Sequence, residues 1–190
     1  MARPKSEKAR ARLLAATAEL ALSEGLAAVT IDEVAARSGV AKTTLYRHFG
    51  GKAELLVAAL DDMIEPPEAP DTGSLLGDLR AFLASVQPIF ADPGIRTLSL
   101  EILAAASRSP DFARLGAAFF GGRMGPLLSV VRRAVERGEL GEGLDPIDAI
   151  ELIEGRFITR SMIDPAGVAA LDVAELASEV ADRLLRAAPA

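Results

Sequence analysis

The sequence predicts an all-α fold, on three observations. Half of the residues are hydrophobic, but only 4% are aromatic. Ala and Leu dominate instead, and they favour helices, whereas strands favour β-branched and aromatic side chains. Apolar residues recur at spacings of three and four, from Leu13, Leu20 and Ala21 near the start, with Thr17 on the same side, to Val173, Leu176, Ala177, Val180, Ala181 and Leu184 near the end. The breaks in this pattern fall at Gly or Pro, which stop helices.

The first helix is expected from about Ser6 to Ser23, ended by Gly25. The polar, basic segment Met1–Lys8 ahead of it reads as frayed. Glu19 and Glu24 interrupt the apolar run, and no small-residue cleavage site follows the arginines, so a leader peptide is not expected. No segment approaches the roughly 20 apolar residues needed to cross a bilayer. These features point to a soluble, cytoplasmic chain without a membrane partner.

Thr30 to Lys52, TIDEVAARSGVAKTTLYRHFGGK, reads as two short helices joined by a tight turn. The Thr30 hydroxyl suits an N-cap, with Glu33 at the capping-box position. Ser38-Gly39 closes the first helix, and a second starts near Ala41 or Lys42. Leu45 and Phe49 stand four apart and share an inward face. At about 100° per residue, Thr43 and Arg47 point away from them, flanked by Thr44, Tyr46 and His48. From Val34 to Ala53 there is no acid, while Arg37, Lys42, Arg47 and Lys52 are cationic. A helix with such a face fits the major groove of double-stranded DNA, which makes the stretch a helix-turn-helix. Thr43, Thr44 and Arg47 are expected at base edges. Thr30, Lys42, Tyr46, His48 and Lys52 are expected at or beside phosphates, and Arg37 is a further DNA-binding candidate.

The segment GVAKTTLYRHFGGKAELL, preceded by TIDEVAARS, resembles the DNA-binding segment of the TetR family of transcriptional regulators. The shared residues are Thr30, Ile31, Val34, Ala35, Gly39, Val40, Leu45, Tyr46, Phe49, Lys52 and Leu55. The resemblance implies a homodimeric repressor that a small-molecule effector releases from an inverted-repeat operator. It also implies backbone contacts from Tyr46 and Lys52. AVERGELGEGLDPIDAIELIEGRFITRSM resembles, more loosely, one C-terminal domain type of the same family.

Charge is distributed unevenly along the chain. The net formal charge is -6, but residues 1–60 carry nine Lys/Arg against six Asp/Glu, and residues 61–190 carry 12 against 21. A basic DNA-contacting unit joined to an acidic body fits this asymmetry.

The later elements follow in order. Lys52 to about Met63 is a helix with Leu55, Leu56, Ala59 and Leu60 as its stripe. Pro66, Pro67 and Pro70, followed by Asp71-Thr72-Gly73, mark a boundary. The domains read as 1–51 for DNA binding, 52–70 as link and boundary, and 71–190 as effector-binding and dimerisation body. Helices are expected over Ser74–Phe90, Asp92–Ser107 and Pro110–Gly138, the last kinked by Gly121, Gly122 and Gly125-Pro126. Residues 138–145 form a loop. They lack the preceding strand and following Lys-Ser or Lys-Thr of a phosphate cradle.

Phe82, Val86, Leu98, Ile102, Phe119, Phe120, Met124 and Leu128 are most of the large side chains here. They form either an ordinary core or, given the mid-helix glycines, the lining of an effector cavity that Glu101 orients. The final helices, Pro146–Met162 and Asp172–Arg186, carry apolar stripes that include Ile150, Ile153 and Phe157, and Val173, Leu176, Val180 and Leu184. Such stripes either close a protomer's own core or, as the resemblance implies, meet a two-fold mate.

Catalysis finds little support. The only histidine is His48, Cys is absent, and no GxSxG occurs. No metal site, cofactor or catalytic residue is therefore expected. Two other readings remain, a helical enzyme or carrier and a helical interaction module without DNA binding. A shift assay on duplex DNA separates both from the first.

Overall fold

The computed structural model describes residues 3–65 and 67–187, the side chains of 3–5, 115, 118–120, 122, 123, 149, 153, 154, 157, 158, 161, 162, 165 and 187 apart. Among the described residues there are ten helices and no strand: α1 (Arg3–Glu24), α2 (Ile31–Ser38), α3 (Lys42–His48), α4 (Lys52–Met63), α5 (Leu75–Ala91), α6 (Pro93–Ala106), α7 (Pro110–Glu136), α8 (Pro146–Ile163), α9 (Pro165–Ala169) and α10 (Val173–Ala187). The chain divides into two compact units, Met1–Glu65 with Thr97–Gly121, and Pro66–Arg96 with Gly122–Ala190. The division in space thus differs from one in chain order, because α6 and the start of α7 group with the N-terminal helices.

In the first unit α1 packs against α2, α3 and α4. Leu13, Leu14 and Leu20 of α1, Val34 of α2, Leu45 of α3, and Leu55, Leu56 and Leu60 of α4 are all buried. Each fully buried leucine contributes about 1.5–3 kcal/mol relative to exposure. Thr17 sits in this core with its hydroxyl donating to the Leu13 carbonyl at 2.8 Å, so no polar group is left unpaired. The expected fraying of Met1–Lys8 is not observed from Arg3 onward. Pro4 is tolerated in a first turn, and Lys, Glu and Ala extend the helix.

The second unit is built on α5, the C-terminal part of α7, and α10. Leu79, Phe82, Leu83 and Val86 meet Leu127, Val130, Val131 and Ala134, with Leu176, Val180 and Leu184 closing the cluster. The α10 stripe is therefore committed inside one protomer. Leu176, Val180 and Leu184 are 3%, 2% and 0% exposed. Their assignment to a dimer seam is corrected, because the core of their own chain already covers them. Ile150 and Val173 are half-buried against the same core. The side chains of Ile153 and Phe157 lie outside the described residues.

Three further features have local causes. Helix α7 runs unbroken through Pro126, since losing one donor does not end a long hydrogen-bonded ladder. Helix α5 likewise accommodates Pro88. A short helix α9 follows α8, its start capped by Asp164, whose side chain accepts from the Gly167 N–H at 3.1 Å. Gln87 holds this turn from α5, donating to the carbonyls of Val168 and Leu171 at 3.0 and 2.8 Å.

The strap before α5 is fixed by a buried ion cluster. Asp78 is fully buried and accepts from the Thr72 N–H at 2.6 Å, the Thr72 hydroxyl at 2.8 Å and Arg137 at 3.1 Å. Arg137 also donates to Glu139 at 2.5 Å, and Glu139 accepts from the Leu75 N–H at 2.8 Å. Arg133 donates to the Pro70 carbonyl. Burial pushes the Asp78 carboxyl upward, but the Thr72 and Arg137 bonds outweigh it and hold the group below its ordinary value. Glu139 is held low by the same balance, with Leu75 and Arg137 as its donors.

Candidate nucleic-acid interface

Thr30 caps α2 in extended conformation, its hydroxyl accepting from the Glu33 N–H at 3.1 Å. Only this half of the expected capping box forms. The Glu33 carboxylate turns instead to Arg37 at 3.2 Å. Gly39 follows α2 with φ +62°, a left-handed conformation that glycine adopts without the penalty a Cβ imposes. Val40 is buried, and α3 begins after Ala41.

Helix α3 is seated by Leu45 and Phe49, which are 0% and 6% exposed. Thr43 and Arg47 are exposed, as is Tyr46 at 55%, so this face is open to a partner. The Arg47 guanidinium donates to the Thr44 hydroxyl at 3.4 Å, which aligns two of the expected base readers with each other. His48 is half-buried, and its Nε2 shares a 3.2 Å hydrogen bond with the Ser6 hydroxyl of α1. Arg10 of α1 lies over the Phe49 ring at 5.9 Å.

The other three cations between Val34 and Ala53 are also engaged within the fold. Arg37 pairs with Glu24 at 2.5 Å, Glu33 at 3.2 Å and Glu19 at 3.5 Å. The Glu24 bond leads in raising its already high pKa, so Arg37 ties α2 to α1 as a fixed cation. Lys42 pairs with Asp32. Lys52 donates to the Leu26 carbonyl at 3.1 Å and lies over the Phe112 ring at 5.8 Å. Desolvation lowers the pKa of this ammonium.

The Leu26 peptide is held from its other side by α6. Glu101 accepts from the Leu26 N–H at 2.6 Å, and a Cβ on Gly25 would meet its carboxylate at 2.9 Å. Gly25 is thus required twice, for its φ of +85° and for the approach of Glu101. No sequence signal pointed to the Glu101–Leu26 bond, which joins residues 75 apart. Ser6 and Arg10, in contrast, share a helix face at a spacing of four, and the basic character of that segment was legible.

A cleft of about 490 Å³ opens beside Lys52, lined among others by Gly50, Gly51 and Val57 at the start of α4 and by Ser109, Phe112 and Arg114 at the start of α7. The residues expected around an effector fall elsewhere. Leu98 and Ile102 are buried and Glu101 half-buried in the first unit. Phe82 and Val86 belong to the core of the second, where Met124 and Leu128 are half-buried. The side chains of Phe119 and Phe120 lie outside the described residues. A Cβ on Gly121 or Gly125 would meet nothing within 4 Å.

Among the described residues no group of three or more His, Cys, Asp or Glu is arranged to hold a metal ion, and no helix is long and apolar enough to cross a membrane.

Comparison with known proteins gives a consistent answer. Residues 13–59 match the family of bacterial regulatory proteins called tetR, and residues 69–180 match the tetracyclin repressor-like C-terminal domain. The DNA-binding transcriptional repressor TetR of Mycobacteroides abscessus is 34% identical over 74% of this chain and 75% of its own. An uncharacterised HTH-type transcriptional regulator of Bacillus subtilis, YdeS, is 29% identical over 85% of this chain and 82% of its own. The solved structure of the TetR family transcription regulator SCO0332 superposes with a TM-score of 0.67 at 31% identity, covering 92% of this chain and 97% of that one. Both halves of the chain thus match the same family, and the protein belongs to the TetR family of helix-turn-helix transcriptional regulators.

Proposed function

We propose that the chain is a homodimeric repressor that binds an inverted-repeat operator through α3 and is released by a small molecule. The face made by exposed Thr43, Tyr46 and Arg47 with half-buried Thr44, braced from within by Leu45 and Phe49, carries this reading. Arg47 is long and cationic enough for a bidentate guanine contact, worth about 1–3 kcal/mol of base discrimination. Thr30 caps the N-terminus of α2, where the helix dipole and free N–H groups favour a phosphate. A two-fold dimer presents two α3 helices about 34–36 Å apart, which the inverted repeat matches. The large apolar side chains left exposed on α8 and α10, Ile147, Ile163 and Leu185, are the material for its seam.

Release requires an effector that binds the DNA-free form better, since equal affinity shifts nothing. The Glu101–Leu26–Lys52 chain of hydrogen bonds supports a route for it. It links α6 to the backbone after α1 and to the lysine at the start of α4. An effector in the helical body, near residues such as Leu98 and Ile102, acts on the DNA-binding helices by shifting Glu101.

Selection from a random-sequence duplex pool tests the reading. Enrichment of one inverted repeat is expected. A retained fraction with no sequence preference contradicts it.

A further inference from the structure

We propose that the first turns of α1 form a second DNA-contacting edge, in which Lys8, Arg10 and Arg12 grip phosphates beside the groove that α3 enters. This rests on the reading of α3 as the recognition helix. Five of the nine Lys/Arg within residues 1–60 lie in the first twelve positions, and Glu7 is the one acid among the first eighteen. Helix α1 runs past both ends of α3. The Ser6–His48 bond and the Arg10–Phe49 contact lay it against the C-terminal end of α3. Further along, the Arg12 guanidinium stands 2.6 Å from where a Cβ on Gly39 would be, beside the turn that precedes α3.

The use of charge elsewhere in the unit strengthens the case. Arg37 is surrounded by three carboxylates, Lys42 is paired with Asp32, and Lys52 is turned to the Leu26 carbonyl. Lys8, Arg10 and Arg12 are exposed, and among the described residues no carboxylate lies within 4.0 Å of them. Duplex DNA carries a negative charge about every 1.7 Å of its axis, and α3 spans only about 10 Å. Phosphates flanking that span require cations from a neighbouring element. Helix α1 supplies them, with the Arg10 guanidinium lying over the Phe49 ring and still exposed.

The experiment compares wild type, Lys8→Gln/Arg12→Gln and the charge-preserving Lys8→Arg/Arg12→Lys. The probe is a duplex selected from a random pool by the wild-type protein, titrated from about 50 to 200 mM salt. Removing the charges should weaken binding roughly ten-fold or more near 0.1 M salt and flatten the log–log salt slope by about 0.9 for each lost phosphate contact. Preference among operator variants should stay as in wild type, and the charge-preserving protein should keep the wild-type slope. A Gln variant with wild-type slope and affinity overturns the edge. So does an equal loss in the charge-preserving protein, which assigns the effect to packing of α1. A wild-type protein that selects no duplex overturns the recognition reading itself.

Discussion

The two units use the same ionic chemistry to different ends. In the first, Arg37 has three carboxylate partners, but its side chain is 30% exposed and theirs are 46–69% exposed. In the second, Arg137 binds Asp78, which is 0% exposed, and Glu139. Two unit charges 4 Å apart attract by about 1 kcal/mol in water and about 4 kcal/mol at the effective dielectric of a protein surface. Ion pairs of this kind in the first unit are consequently screened by salt and add little to its stability. Charge in the second is built into the fold, where it ties residues 70–75 to the end of α7.

This contrast predicts that charge removal changes stability in one unit and binding in the other. The largest effect is expected at Asp78. Asp78→Ala leaves the Thr72 N–H and the Arg137 guanidinium without their buried acceptor, costing about 3–5 kcal/mol in a denaturant titration. A variant as stable as wild type would place the cluster's weight elsewhere. The same cluster sets an acid limit. Folded Asp78 and Glu139 titrate below their unfolded values of about 3.9 and 4.3. The unfolded chain then binds more protons in that range. The stabilisation is complete above those unfolded values and lost as pH falls through the folded ones. Thermal midpoints measured from neutral to acidic pH should therefore drop more steeply for wild type than for Asp78→Asn. Equal slopes would dissociate the cluster from acid unfolding.

In the first unit, Arg47→Ala should leave the thermal midpoint unchanged while reducing discrimination among operator variants by about 1–3 kcal/mol. Thr30→Ala removes the α2 cap and should cost about 1 kcal/mol of stability. An unaltered midpoint would mean that water replaces the hydroxyl at no cost. Arg37→Gln should lower stability only slightly, by an amount that vanishes at high salt. If Arg37→Gln instead abolished DNA binding without loss of fold, Arg37 would exchange its carboxylates for phosphate.

Local spacing made the helix-turn-helix legible. Thr30, Gly39, Leu45 and Phe49 act within a few residues of one another, so sequence distance and spatial distance agree. The boundaries of α4 and the Ser74 cap of α5 were readable for the same reason. What an amphipathic stripe cannot declare is its partner. Leu176, Val180 and Leu184 of α10 announced burial correctly, but α5 and α7 of the same chain bury them, not a second copy. Charges carried the same ambiguity. Arg37 looked available to DNA because no acid lies between Val34 and Ala53, while Glu19, Glu24 and Glu33 stand just upstream and fold onto it. Glu101 lies in an apolar run that gave no hint of Leu26, since only tertiary packing joins them.

The most direct test is selection of duplexes from a random pool by wild type and by Arg47→Ala side by side. Wild type should enrich an inverted repeat with half-sites about one helical turn apart, and Arg47→Ala should lose preference at one symmetric pair of positions while still binding. Identical preferences for the two proteins would show that α3 does not read bases through Arg47.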